Sequence, residues 1–184
     1  MSLNVDPPFA LGQTLGVSST DDGKGWVGVV KQFPDVVPST GKIRSNRVKT
    51  CIAVRNVSGV TLLPKRLVTF KSGSISEVDG YTNVTDEPSA GVVDEHLAAS
   101  GVANNDVFWI TVQGPTEVKL GPAQEAAVDT SLVALTAAAS THSTTAGQAQ
   151  TGAATFLQNG YIGRAVSAGT TGQNVLAIVN LVRS

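Results

Sequence analysis

Three neighbouring residues, Asp94, Glu95 and His96, combine the side-chain types that carry out general acid–base catalysis. Such catalysis needs the groups to converge in one pocket with shifted pKa values. Neighbouring side chains point to opposite faces of a strand and diverge by about 100° in a helix. Adjacency alone therefore does not build a catalytic pair, and the pattern favours a solvated polar patch.

The other reactive residues are isolated. His142 lies in a stretch without charged residues, so no acid is close in sequence to orient its ring. Cys51 lies in an alternating apolar pattern that is typical of a small buried side chain. The glycine pairs at 23–25 and 169–172 lack the spacing of a phosphate-binding loop, and two histidines with one cysteine are too few for a four-ligand Cys/His zinc site. The sequence therefore predicts no catalytic, cofactor-binding or metal site.

Charge is sparse but unevenly distributed. Charged residues make up 15% of the chain and the net charge is −1, so nothing attracts the whole molecule to nucleic acid or to a membrane. Between Asp35 and Glu77, however, eight cations occur without an acid: Lys42, Arg44, Arg47, Lys49, Arg55, Lys65, Arg66 and Lys71. This run forms either a basic face that docks on an acidic surface or on phosphates, or a sheet face whose partner charges come from the rest of the fold.

The elements that position these residues are predicted to be strands. The chain has 19 glycines and 8 prolines among many Val and Thr residues, which is typical of short strands joined by tight turns. We predict an all-β fold, a small sandwich or barrel of short antiparallel strands with an extended N-terminal arm and little helix.

Individual segments support this fold class. Residues 107–113 form the clearest strand, apolar on both faces and closed by Gly114-Pro115, and residues 49–55 are expected to form a hairpin with 60–63. Residues 93–99 fit one or two turns of helix or a strand. Six further strands are predicted at 25–30, 66–70, 117–120, 153–157, 161–165 and 175–182.

The chain divides by composition into an arm and a domain. Residues 1–40 hold four prolines and little periodicity, so we expect an extended arm that needs another surface to order it. Residues 41–184 are expected to form a single β-rich domain, in which the Ala/Thr/Ser-rich stretch 121–155 is either a loop or a subunit interface. Without an apolar run of about 18 residues or a signal peptide, we expect a soluble protein that is not exported by a standard signal.

Two segments resemble each other within the chain. Residues 91–112 and 160–181 both follow an order of strand, glycine turn, polar spacer and strand. This similarity is explained either by a duplication or by two hairpins that obey the same turn rules.

The stretch from about residue 48 to 182 resembles the head decoration, or capsid cement, proteins of tailed bacteriophages. The resemblance rests on the run 60–70, Gly91-Val-Val93, Ile110-Thr-Val-Gln-Gly114 and the late strand Gly160-Tyr-Ile-Gly-Arg-Ala165. It implies a structural virion protein without an active site or cofactor, made in the host cytoplasm. Such a protein binds the major capsid protein on the capsid exterior as a small homo-oligomer, with a trimer favoured over a dimer, and contacts neither nucleic acid nor membrane.

Composition alone suggests the docking residues, and we hypothesise that Lys42, Arg44, Arg47 and Lys49 bind the capsid. The alternative function is a tail-tube or head–tail joining protein of a phage, which would share low charge, arms and oligomeric surfaces. A small hydrolase built around His96 and Asp94 is the enzymatic alternative.

Overall fold

The computed structural model describes residues 9–16, 26–80, 89–121, 124–134, 149–151 and 161–181. These residues form ten strands and no helix, which confirms the all-β prediction. The described ranges therefore contain no helix that could cross a membrane. The strands are β1 (Val30–Val36), β2 (Ile43–Asn56), β3 (Leu67–Phe70), β4 (Glu77–Gly80), β5 (Ser89–Val93), β6 (Val107–Lys119), β7 (Ser131–Ala134), β8 (Ala149–Thr151), β9 (Tyr161–Ala165) and β10 (Asn174–Asn180).

Strand pairing closes a five-stranded barrel in the first half of the chain. The order β2-β4-β3-β5-β6 returns to its start, because β6 pairs with β2 along Thr50–Arg55. All pairs in this ring are antiparallel except the short parallel contact of β2 with β4. A closed ring leaves no unpaired edge between these strands, so each barrel strand is held by a neighbour on both sides.

A second unit repeats this pairing. β7 pairs with β8 and β9, and β9 pairs with β10, as β3 pairs with β4 and β5, and β5 with β6. β10 pairs with the second half of β6, just as the first half of β6 pairs with β2. β6 is therefore the last strand of the first unit and the first strand of the second.

The repeat extends to single hydrogen bonds. The Lys65 amide donates to the Val93 carbonyl in the first unit, and the Asp129 amide donates to the Ala165 carbonyl in the second. Lys65 and Asp129 both have a positive φ, 65° and 68°. Such detail goes beyond what two hairpins would share by turn rules, so the internal similarity reflects a structural repeat.

Two hydrophobic clusters fill the two units at equivalent positions. The residues of the first cluster and their counterparts in the second are all buried. The pairs are Val54 and Val118, Leu62 and Ala126, Val68 and Leu132, Ala90 and Ile162, Val93 and Ala165, Phe108 and Val175, Ile110 and Ala177, and Val112 and Val179. In this register Gly91 corresponds to Gly163, three residues later than the sequence comparison placed it.

The prediction that Gly114-Pro115 ends a strand is wrong. β6 continues to Lys119, paired with β10. The amides of Glu117 and Lys119 point away from β10, towards the Glu95 carboxylate and the Lys65 carbonyl. Pro115 is two residues before Glu117, so its backbone nitrogen also points away from β10. The N–H that proline lacks would therefore not have bonded to β10.

Two further local predictions are wrong. Residues 60–63 form no strand with β2, whose partners are β1, β4 and β6. Residues 94–97 form a turn instead of a helix, because the Asp94 carboxylate accepts the His96 amide at 3.0 Å and so competes with helical bonding. The predicted strand 153–157 lies outside the described residues.

The described part of the predicted arm packs on the chain's own sheet. β1 pairs with β2 from Val30 to Val36, and Phe9 stacks on Trp109 with ring centroids 4.9 Å apart. The surface on which the described part of the arm packs is therefore the chain's own sheet, while its need for a second molecule stays a prediction. Within the stretch 121–155, residues 131–134 and 149–151 are strands, while the interface alternative stays a prediction.

Substituting the equivalent glycines tests the repeat. A Cβ at Gly91 would lie 2.8 Å from Ile110 Cδ1, and a Cβ at Gly163 would collide with the Ile178 carbonyl oxygen. We expect Gly91→Ala and Gly163→Ala each to lower the free energy of unfolding by about 1–3 kcal/mol, measured by urea denaturation. Gly16→Ala is the control, since its Cβ would meet only the Asp106 carboxylate at 3.8 Å; a comparable loss in the control would contradict the packing argument.

Candidate functional site

The residues that could do acid–base chemistry lie in a turn that only the first unit has. The connection from β5 to β6 runs over residues 94–106, whereas the equivalent connection from β9 to β10 runs over 166–173. The first is longer by five residues, and the extra length carries Glu95 and His96. The second unit has no counterpart of this insertion, so the contacts of the insertion distinguish the first unit from the second.

The Glu95 carboxylate is fully buried and saturated with donors. Arg44 reaches both of its oxygens, at 3.2 Å and 2.8 Å, and Lys49 Nζ bonds to Oε1. The Glu117 amide donates to Oε2 at 3.0 Å. Burial raises the pKa of Glu95, but the bonds and charges of Arg44 and Lys49 outweigh it, so the pKa falls below its ordinary value. The carboxylate is therefore held ionised in the interior.

Arg44 joins this carboxylate to the predicted arm. Its Nε and Nη2 donate to Asp35 Oδ1 at 2.9 Å and 2.6 Å, and Ser45 Oγ donates to Asp35 Oδ2 at 2.7 Å. Burial lowers the pKa of Arg44, but Asp35 and Glu95 raise it by more. A cation held between two buried carboxylates fixes β1 and β2 to the insertion.

Asp94 and His96 also make internal contacts. Asp94 accepts the Gly12 amide at 2.6 Å and the His96 amide at 3.0 Å, so its carboxylate meets the His96 backbone and not the imidazole ring. Burial raises the pKa of Asp94, and burial lowers the pKa of His96 despite the nearby Asp94 charge. The expectation of a solvated polar patch is wrong, because Asp94 and Glu95 are each only 2% exposed.

The four predicted docking residues fall into two classes. Lys42 and Arg47 are exposed. Lys49 is buried, and its ion pair with Glu95 keeps it away from any partner surface, while the Arg44 side chain is 14% exposed and shared between Asp35 and Glu95. For Arg44 and Lys49 the partner charges come from other parts of the fold, which was the alternative explanation of the basic run.

Lys42 and Arg47 lie on a β-ribbon that extends past the barrel. We use the name basic ribbon for residues 30–49, which comprise β1 and the part of β2 before its pairing with β6. A turn at 37–42 closes its tip, where the Val37 amide donates to the Lys42 carbonyl at 2.8 Å. Ile43 is 71% and Val48 52% exposed, so the ribbon presents apolar as well as cationic side chains.

Other candidates carry no chemistry. Cys51 is buried, as predicted, and burial raises the pKa of its thiol to about 12, which keeps it protonated and unreactive. His142 and the 23–25 glycine pair lie outside the described residues. Within the described ranges, no three His, Cys, Asp or Glu side chains are grouped to hold a metal ion.

Comparison with known proteins gives little further information. No protein family matches the chain, and no curated protein matches it. One solved structure, the head fiber gp8.5 N base of bacteriophage phi29, is 14% identical over 73% of this chain and 96% of that chain, with a TM-score of 0.41. A TM-score below 0.5 does not establish a common fold, so this similarity neither supports nor opposes a function.

The buried carboxylate predicts a stability effect. We expect Glu95→Gln to lower the free energy of unfolding by about 3–5 kcal/mol, because it leaves two cations without their shared counter-charge. Chemical denaturation measures the change. Glu125→Gln is the matched control on an exposed glutamate, and equal losses in the two variants would refute the role of the ion network.

The lowered pKa of Glu95 also predicts a pH dependence. Its stabilisation is complete above the unfolded-state pKa of about 4.3 and is lost as the pH falls through the lower folded-state pKa. The difference in unfolding free energy between the wild type and Glu95→Gln should therefore shrink as the pH is lowered from 6 to about 3. The raised pKa of Asp94 acts in the opposite direction but is common to both proteins. A difference that stays constant over this range would contradict the assignment.

Proposed function

We propose that this chain is a structural protein of a tailed-bacteriophage head, which binds the outer surface of the capsid as a small homo-oligomer and stabilises it. The resemblance of residues 48–182 to head decoration proteins supports this function. In this proposal the partner is the major capsid protein, and the site of action is the exterior of the virion.

One observation carries the proposal: the insertion between β5 and β6, which the second unit lacks, binds the basic ribbon through Glu95. Glu95 binds Arg44 near the tip of the basic ribbon and Lys49 at its base, while Lys42 and Arg47 stay exposed on it. A two-stranded ribbon alone is marginally stable in water. Fastening it to a closed barrel turns it into a rigid contact element, which suits a docking protein.

The same contacts argue against the enzymatic alternative. A general acid or base must reach a substrate proton. Asp94 and Glu95 instead accept internal donors and are almost fully buried. We therefore propose that the chain has no catalytic activity and no cofactor.

Closed symmetry suits this role. A homotrimer, favoured over a dimer, would present three ribbons to one symmetric position of the shell. Repetition of a modest contact raises the overall affinity without any new type of contact. A tail-tube or joining protein would instead assemble into tubes or rings by itself.

Charge reversal on the basic ribbon tests the proposal. We expect Lys42→Glu combined with Arg47→Glu to lower capsid occupancy by about tenfold or more, because like charges opposed across an interface cost several kcal/mol. Co-sedimentation of the purified protein with tailed-phage capsids measures the occupancy.

Lys71→Glu, which reverses an exposed lysine outside the ribbon, is the matched control. Point variants are preferable to deletion of residues 1–40, which would remove β1 and uncover Trp109. Unchanged occupancy in the ribbon variant, or an equal loss in the control, would count against docking through the ribbon.

A further inference from the structure

A groove lies between the basic ribbon and the second unit. Thr50 and Gln113 are the last paired residues of β2 and β6 on this side, and beyond them the ladder between the two strands ends. The space between the ribbon and β10 is an open groove of 510 Å³. Its two walls belong to different units, so their relative position depends on how the strands are joined.

The walls are fixed before any ligand binds. Gly114 has a φ of 102°, and a Cβ there would lie 2.5 Å from the Val48 carbonyl oxygen and 2.9 Å from Lys49 Cα. The backbones of β2 and β6 are therefore in direct contact at the groove floor. The ion pairs of Arg44 and Lys49 with Glu95 also tie the ribbon to the connection between β5 and β6. A preformed groove lowers the ordering cost of binding.

Amide side chains line both walls. Gln32 and Asn46 come from the ribbon, and Gln113 and Asn180 from the opposite wall. Each amide offers donors and acceptors, as does each peptide unit of an extended chain.

Arg47 supplies the only charge among the residues that line the groove, all of which the structure describes. A groove with one cation and no acid is complementary to a carboxylate.

The remaining lining residues narrow the ligand class. Val48, which is 52% exposed, contributes apolar surface together with the half-buried Ile178. None of the lining side chains is aromatic, so bases have no ring on which to stack. A single guanidinium is also a small charge for the repeated phosphates of a nucleic acid. The lining therefore favours a polypeptide over a nucleic acid.

We propose that this groove binds an extended segment of a partner polypeptide, with one carboxylate of the segment paired to Arg47. The inference rests on the proposed function for the partner's identity, since the segment would belong to the capsid protein. Docking of an extended chain along existing strands is a common mode of peptide recognition.

Labelled peptides test the groove without capsids. The probes are an alternating Thr-Glu peptide of about ten residues and its Thr-Lys counterpart, which carry every charge on one side when extended. Fluorescence anisotropy with the full chain should show binding of the Thr-Glu peptide at least tenfold tighter than that of the Thr-Lys peptide. Arg47→Gln should weaken it about tenfold, and Lys71→Gln should leave it unchanged. Equal binding of both peptides, absence of binding, or insensitivity to Arg47→Gln would overturn the inference.

Two outcomes separate this inference from the proposed function. Capsid binding without peptide binding would contradict the groove inference and leave the proposed capsid function standing. Peptide binding without capsid binding would contradict the proposed function and leave the groove inference standing. An oligothymidylate of the same charge that bound as tightly, with the same dependence on Arg47, would identify a phosphate site and overturn the inference.

Blocking the groove provides an independent variant. Val48→Cys labelled with a bulky maleimide should abolish binding of the Thr-Glu peptide, and the same label on Ile75→Cys, at an 86% exposed site elsewhere, should not. The native Cys51 is fully buried, so the label is confined to the introduced thiol. Retained binding in the labelled Val48→Cys protein would contradict the inference.

Discussion

A single strand, β6, has to complete one unit and begin the next. Its residues 107–113 close the first barrel against β2, and its residues 113–119 pair with β10. The change of partner occurs at Gly114, where the backbone lies against β2 and leaves no room for a side chain. The two hydrophobic clusters, the groove between the units and the Glu95 contact to β6 all depend on this junction.

The ion network around Glu95 stabilises the ribbon at a cost. Removing charges from water is expensive, and only good geometry with several bonds offsets that cost. Glu95 meets this condition with two cations and one backbone amide, and Asp35 accepts two further bonds from Arg44. The second unit lacks the insertion and has no equivalent ribbon among its described strands. The two units thus share a fold but differ in the part that we assign to docking.

The sequence predicted the fold class and the central strand because their signals are local. β-branched residues, glycine turns and the apolar run at 107–113 are visible without tertiary information. The partners of β2 and the passage of β6 through Pro115 depend on contacts between distant residues, so they were missed. The buried state of Glu95 was missed for the same reason, since its cations lie about 50 residues earlier in the chain. Of the four residues predicted to bind the capsid, Lys42 and Arg47 are exposed, whereas Lys49 is buried and paired with Glu95.

In the proposed function, the buried ion network holds the basic ribbon and the groove in place for a capsid partner. Electron cryomicroscopy of tailed-phage capsids incubated with the purified chain tests this claim most directly. The proposed function predicts extra density at symmetry-related positions on the outer surface, with the ribbon and the groove facing the shell. Bare capsids beside tubes or rings of the protein, or density that contacts the shell through another face, would contradict it.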